Sequence, residues 1–103
     1  MKQIERIKQM EQYLDDSYDA VRALSVALNR YEAIQKSLEK LSAYYGSTLW
    51  MKDFEDDENG KLPKDLKRGV LSEDAVYDLL TDHHELMLRM SRAVTKSIDS
   101  KLL

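Results

Sequence analysis

Five carboxylates in six positions, Asp53, Glu55, Asp56, Asp57 and Glu58, are the densest cluster of chemistry-capable side chains in the sequence. The chemistry they suggest is capture of a hard cation such as calcium or magnesium. An EF-hand loop with Gly60 at its sixth position places Glu55, Asp57 and Asn59 at the first, third and fifth, and Leu62 at the eighth. The twelfth position then falls on Leu66, where a bidentate carboxylate is required, and Pro63 takes the ninth. The run therefore fits a charged helix end followed by the solvated turn Asp57-Glu58-Asn59-Gly60-Lys61 better than it fits a calcium loop. If a metal binds, its ligands would come from Asp53, Glu55, Asp57 and His83.

Lys61, Lys64, Lys67 and Arg68 follow directly, so charge of both signs is packed into this middle segment. One reading is an anion or acidic-partner site at Lys67-Arg68-Gly69, helped by the amino end of a following helix. The plainer one is that the basic stretch folds back on the acidic stretch as surface ion pairs. His83-His84 is the only pair able to titrate near neutrality. His83 falls on an apolar helical face and reads as a hydrogen-bonded packing residue, with His84 pointing outward. There is no cysteine, and neither a nucleophile elbow, a phosphate-binding glycine loop nor a His-Glu-x-x-His run occurs, so enzyme chemistry is not expected and no cofactor is implied.

Tyr44, Tyr45, Trp50 and Phe54 place four of the eight aromatic residues within eleven positions. They could line an acid-rimmed groove for a basic ligand, or plug the end of a helical hairpin. The partner-binding candidates are thus Tyr44, Tyr45, Trp50, Phe54, Lys67 and Arg68.

The elements that must position these groups are helical. Ile7, Leu14, Val21 and Leu28 recur at seven-residue steps, with Met10, Leu24, Tyr31, Leu38 and Tyr45 three residues out of phase and Tyr13, Ala20, Ala27, Ile34 and Leu41 alongside. Three apolar positions in seven suit a bundle helix better than a narrow two-stranded seam. Ser17 and Gln35 interrupt the columns, and Asp15-Asp16-Ser17 is a poor helix-forming run, but the phase carries through it and one long helix over about 3–45 is predicted. Ser47 caps a short helix over about 47–58 that ends at Asn59-Gly60. Lys61 to Leu71 reads as an ordered loop with a helical turn at Pro63–Lys67. Ser72 as cap, Glu73 and Asp74 near the positive end of the dipole, and a Leu71–Val76 staple open a rear helix over about 72–98. No alternating β-branched run reads as a strand.

The fold class is therefore all-α: a single domain over residues 1–103, with a long antiparallel helical hairpin and a short helix and loop between. The front helix would be about 63 Å long and the rear one about 40 Å, at roughly 1.5 Å per residue, so the rear helix cannot cover the front one. A homodimer is expected, two hairpins making a four-helix bundle. With 16 basic against 19 acidic residues the net charge is -3, which disfavours nucleic acid. No apolar run reaches the ~20 residues of a membrane span and no apolar leader follows the amino terminus, so a cytoplasmic protein is expected.

Several tracts resemble a family of small bacterial proteins of unknown function: Glu5-Arg6-Ile7, Leu41-Ser42-Ala43-Tyr44-Tyr45-Gly46-Ser47, Trp50, Asp53 to Glu58, Leu62-Pro63 and Asp65 to Asp74. The resemblance spans roughly Glu5 to Met90 and implies an uncharacterised helical domain in a bacterial cytoplasm, with no activity or ligand to carry over. On the residues themselves, the leading expectation is a non-enzymatic helical interaction protein that binds itself or another helical protein. The alternative is a small-ligand or divalent-cation domain using the acidic tract 53–58.

Overall fold

Heptad-spaced apolar residues without an internal glycine or proline let the first forty-odd residues form one element. In the computed structural model, which describes residues 2–102, helix α1 runs Gln3–Tyr44, α2 Thr48–Glu58 and α3 Ala75–Asp99, with a 3₁₀ turn at Gly69–Leu71. The fold is all-α, and no strand occurs among the described residues. The chain divides into two compact units, Met1–Leu38 and Glu39–Leu103.

The first unit is α1 alone. Asp15-Asp16-Ser17 does not break it, because Asp16 accepts a hydrogen bond from Gln12 Nε2 at 2.8 Å, one turn earlier, instead of competing for its own backbone. No residue of α1 is buried.

The second unit holds the packing. Leu71 and Val76 are the buried residues among those described, and Tyr45, Trp50, Phe54, Leu62 and Leu80 are half-buried. Gly46 turns the chain at φ 77° in the left-handed region that favours glycine. Ser47 then caps α2, its hydroxyl accepting from the Trp50 amide at 3.2 Å. At the other end of α2, Asn59 is followed by Gly60 at φ 69°. The Lys61 amide donates to Asp56 O and the Gly60 amide to Asp57 O, at 2.9 and 3.1 Å, which is a Schellman closure.

Two boundaries differ from the sequence expectation. The helical turn lies at Gly69–Leu71 rather than Pro63–Lys67, where only a tight turn forms, the Leu66 amide donating to Pro63 O at 3.2 Å. Helix α3 starts at Ala75 rather than 72, since Glu73 and Asp74 lie in a turn ahead of it. The capping chemistry is nevertheless the expected one. Ser72 accepts from the Ala75 amide at 3.1 Å and donates to Gly69 O at 2.9 Å, and the two staple residues, Leu71 and Val76, are the buried pair.

A Cβ at Gly46 or at Gly69 meets nothing within 4 Å, and only Gly46 has a positive φ. Gly46→Ala is therefore expected to lower stability by about 1 kcal/mol through backbone strain, and Gly69→Ala to change it by less than about 0.5 kcal/mol. Urea denaturation of the two variants checks this.

Candidate functional site

Tyr45, Trp50, Phe54 and Arg68 lie around the junction of α2 with the 3₁₀ turn, within the second unit, whereas Glu55, Lys64 and Lys67 are exposed. Trp50 is the centre. Phe54, one helical turn on, stacks against it with centroids 5.2 Å apart and planes 20° from parallel. Tyr45 meets it edge-on at 5.3 Å. The Trp50 indole N–H donates to Val70 O at 2.9 Å, which ties α2 to the turn carrying Leu71. Tyr45 donates its hydroxyl proton to Glu73 O at 3.0 Å, fixing the lead-in to α3. These half-buried rings thus pack on one another and hold two backbone carbonyls. Their acceptors, the carbonyls of Val70 and Glu73, belong to the backbone and carry no residue-type signature in a sequence.

The acidic run is spread around a helix, not gathered in a loop. Asp53 accepts from Tyr44 Oη at 2.6 Å. Asp56 pairs with Lys52 at 3.2 Å and with Lys61 at 4.0 Å. Asp57 takes Arg68 Nη1 at 2.8 Å. Glu55 lies at an exposed position of α2, about 200° around the helix from Asp53 at 100° per residue. The EF-hand alignment of Glu55, Asp57 and Asn59 thus fails for a geometric reason, because Glu55 and Asp57 sit on a helix that ends at Glu58. No group of three or more His, Asp or Glu side chains among the described residues is placed to hold a metal ion. His83 is half-buried on α3 and His84 exposed.

Arg68 works as a clamp. Besides Asp57, its guanidinium donates to Pro63 O through Nη2 and to Leu66 O through Nε. Such fork geometry, which a lysine cannot reproduce, fastens the loop 63–68 to the end of α2. The basic stretch folds back on the acidic one, and that occupies Arg68 with structure. Lys64 and Lys67 remain exposed. The amide of Ala75 at the start of α3 is taken by Ser72, which leaves less of that helix end for an anion at Lys67-Arg68-Gly69.

Donating to Asp53 pushes the Tyr44 hydroxyl pKa up from 10.0 to about 12, with burial and the Asp53 charge adding to the effect of the hydrogen bond. The phenol is therefore neutral and bonded at physiological pH.

A family model described as a domain of unknown function, DUF4298, matches residues 7–93. No curated protein and no solved structure matches the chain.

The folded state holds the Tyr44 proton more tightly than the unfolded chain does. The stabilisation is therefore complete below pH 10.0 and is lost as pH rises through about 12. Ultraviolet titration should show one phenol ionising near 12, brought down by Asp53→Asn. The stability advantage of the wild type over Tyr44→Phe should shrink across the same range. In addition, Trp50→Phe keeps an aromatic ring but leaves Val70 O unpaired, and is expected to cost about 1–3 kcal/mol by urea denaturation.

Proposed function

This chain belongs to that family of domains of unknown function, and we propose that it acts as a non-enzymatic helical protein–protein interaction module, offering the apolar stripe of α1 to another helix. The observation that carries this reading is the exposure of the stripe: Ile7 51%, Met10 53%, Leu14 60%, Val21 67% and Leu24 59%. In globular proteins a helix draws most of its stability from burying one face. A contiguous exposed apolar face on a soluble chain marks a contact surface. Among the described residues no helix is long and apolar enough to cross a membrane.

The magnitudes are compatible. Covering a half-exposed Leu, Ile, Val or Met contributes about 1 kcal/mol or somewhat more, so five such residues supply roughly 5–10 kcal/mol, and a similar stripe on the partner as much again. That total compares with an association cost of about 4–15 kcal/mol. Two apolar stripes offset that cost more securely than one stripe against a polar surface. The aromatic tract contributes indirectly, since Tyr44, Tyr45, Trp50 and Arg68 are engaged within their own unit.

Leu28→Glu places a carboxylate in the stripe. Sedimentation velocity at about 100 μM is expected to show the wild type assembled, with itself or with a bound helical protein, and the variant dissociated. Trp50 fluorescence should stay native-like, reporting that the second unit is still folded. A wild type that is monomeric and carries no bound protein, or a variant that keeps the wild-type assembly, overturns the reading.

A further inference from the structure

Charge in the middle of α1, residues 11–31, is blocked, whereas residues 5–8 and 32–40 carry both signs. Residues 11–19 carry Glu11, Asp15, Asp16 and Asp19 with no cation, and residues 20–31 carry Arg22 and Arg30 with no carboxylate. The helix runs unbroken through both blocks, so their axial separation is fixed. A second copy laid parallel and in register would set acidic block against acidic block and basic against basic. A copy laid antiparallel and centred near residue 23 sets the acidic block level with residues 27–35, which bring Arg30 level with Asp16.

We infer that the occupant of the α1 stripe is a second copy of the same helix, antiparallel and centred near Ala23, so that Asp16 of each copy lies level with Arg30 of the other. This rests on the association proposed above and names its partner. Residues 16, 23 and 30 share one column at seven-residue spacing, beside the column of Ala20 and Ala27, so the charged pair flanks the apolar stripe rather than entering it. Both Asp16 and Arg30 are exposed, and Asp16 is engaged only locally, by Gln12. In that register Val21 lies level with Ser25, one residue from Leu24, and Ala20 lies level with Val26, one residue from Ala27. Ser17, the polar interruption of the stripe, falls level with Asn29. A two-fold axis makes every pair occur twice, which is the self-complementary pattern of a closed dimer. Opposite charges flanking the seam are what select orientation in paired helices.

Charge reversal separates the arrangements. In sedimentation equilibrium, Asp16→Arg and Arg30→Asp are each expected to weaken the dimer about tenfold, since each converts two attractive pairs into two repulsive ones. The double variant D16R/R30D should return to within about threefold of the wild type. A parallel dimer would instead be tightened by Asp16→Arg, and that outcome overturns the inference.

The chain has no cysteine, so Gln9→Cys introduces a unique nitroxide site. In the antiparallel register residue 9 lies level with residue 37 of the other copy. The two labels are then about 42 Å apart at roughly 1.5 Å per residue. Separations of about 15 Å would indicate parallel helices and overturn the inference. A monomer that binds a different protein through the stripe, with that binding lost in Leu28→Glu, overturns the second-copy assignment but leaves the association reading standing. A dimer insensitive to Leu28→Glu overturns the association reading itself.

Discussion

A helix of 42 residues that buries none of them is the constraint from which the rest of the account follows. Backbone hydrogen bonds along such a helix replace bonds to water and contribute little net stability, and conformational entropy opposes the ordering of every residue. Intrinsic propensity and a local contact such as Gln12–Asp16 offset part of that cost. The usual offset is an apolar face removed from water. In α1 the face is present in sequence, three positions in seven over six heptads, and from Ile4 to Leu28 it is exposed in the single chain. The charge blocks on its flank then bear on the orientation in which such a face would be covered.

The second unit meets the opposite problem, a short stretch of chain that must change direction repeatedly. It does so with local devices: glycines in the left-handed region at residues 46 and 60, serine caps at 47 and 72, and the Arg68 fork across Asp57, Pro63 and Leu66. The Trp50 bond to Val70 O joins these into one body, because it brings the turn bearing Leu71 against α2. Side chains that looked available for a ligand are drawn into this work. Tyr44 meets Asp53, Asp57 meets Arg68, and Asp56 sits between two lysines.

Much of this was legible in the sequence because the signals are local. The heptad columns predict α1 through Asp15–Ser17. Ser47 predicts the start of α2 and Asn59-Gly60 its end. The Leu71–Val76 staple anticipates the buried pair, although the regular part of α3 begins three residues later than its cap suggests. The position of the 3₁₀ turn was not legible, since Pro63 signals a turn more strongly than Gly69, and what places the helical turn at Gly69–Leu71 is packing against α2 and α3. Nor could the sequence name the hydrogen-bond partners of Trp50 and Tyr45. Those are the backbone carbonyls of Val70 and Glu73, which any residue would supply. The sequence already favoured a charged helix end over a cation loop for the acidic run, and helical geometry, which separates Glu55 from Asp53 and Asp57, agrees with it.

The central claim is that α1 is stabilised by another helix lying on its apolar stripe, and the dependence of thermal stability on chain concentration tests it most directly. A helix held by association melts at a temperature that rises with concentration, whereas one held within its own chain does not. Followed by far-ultraviolet circular dichroism over about 1–200 μM, the midpoint is predicted to climb steadily with concentration. A midpoint independent of concentration, with α1 fully helical throughout, would contradict the account.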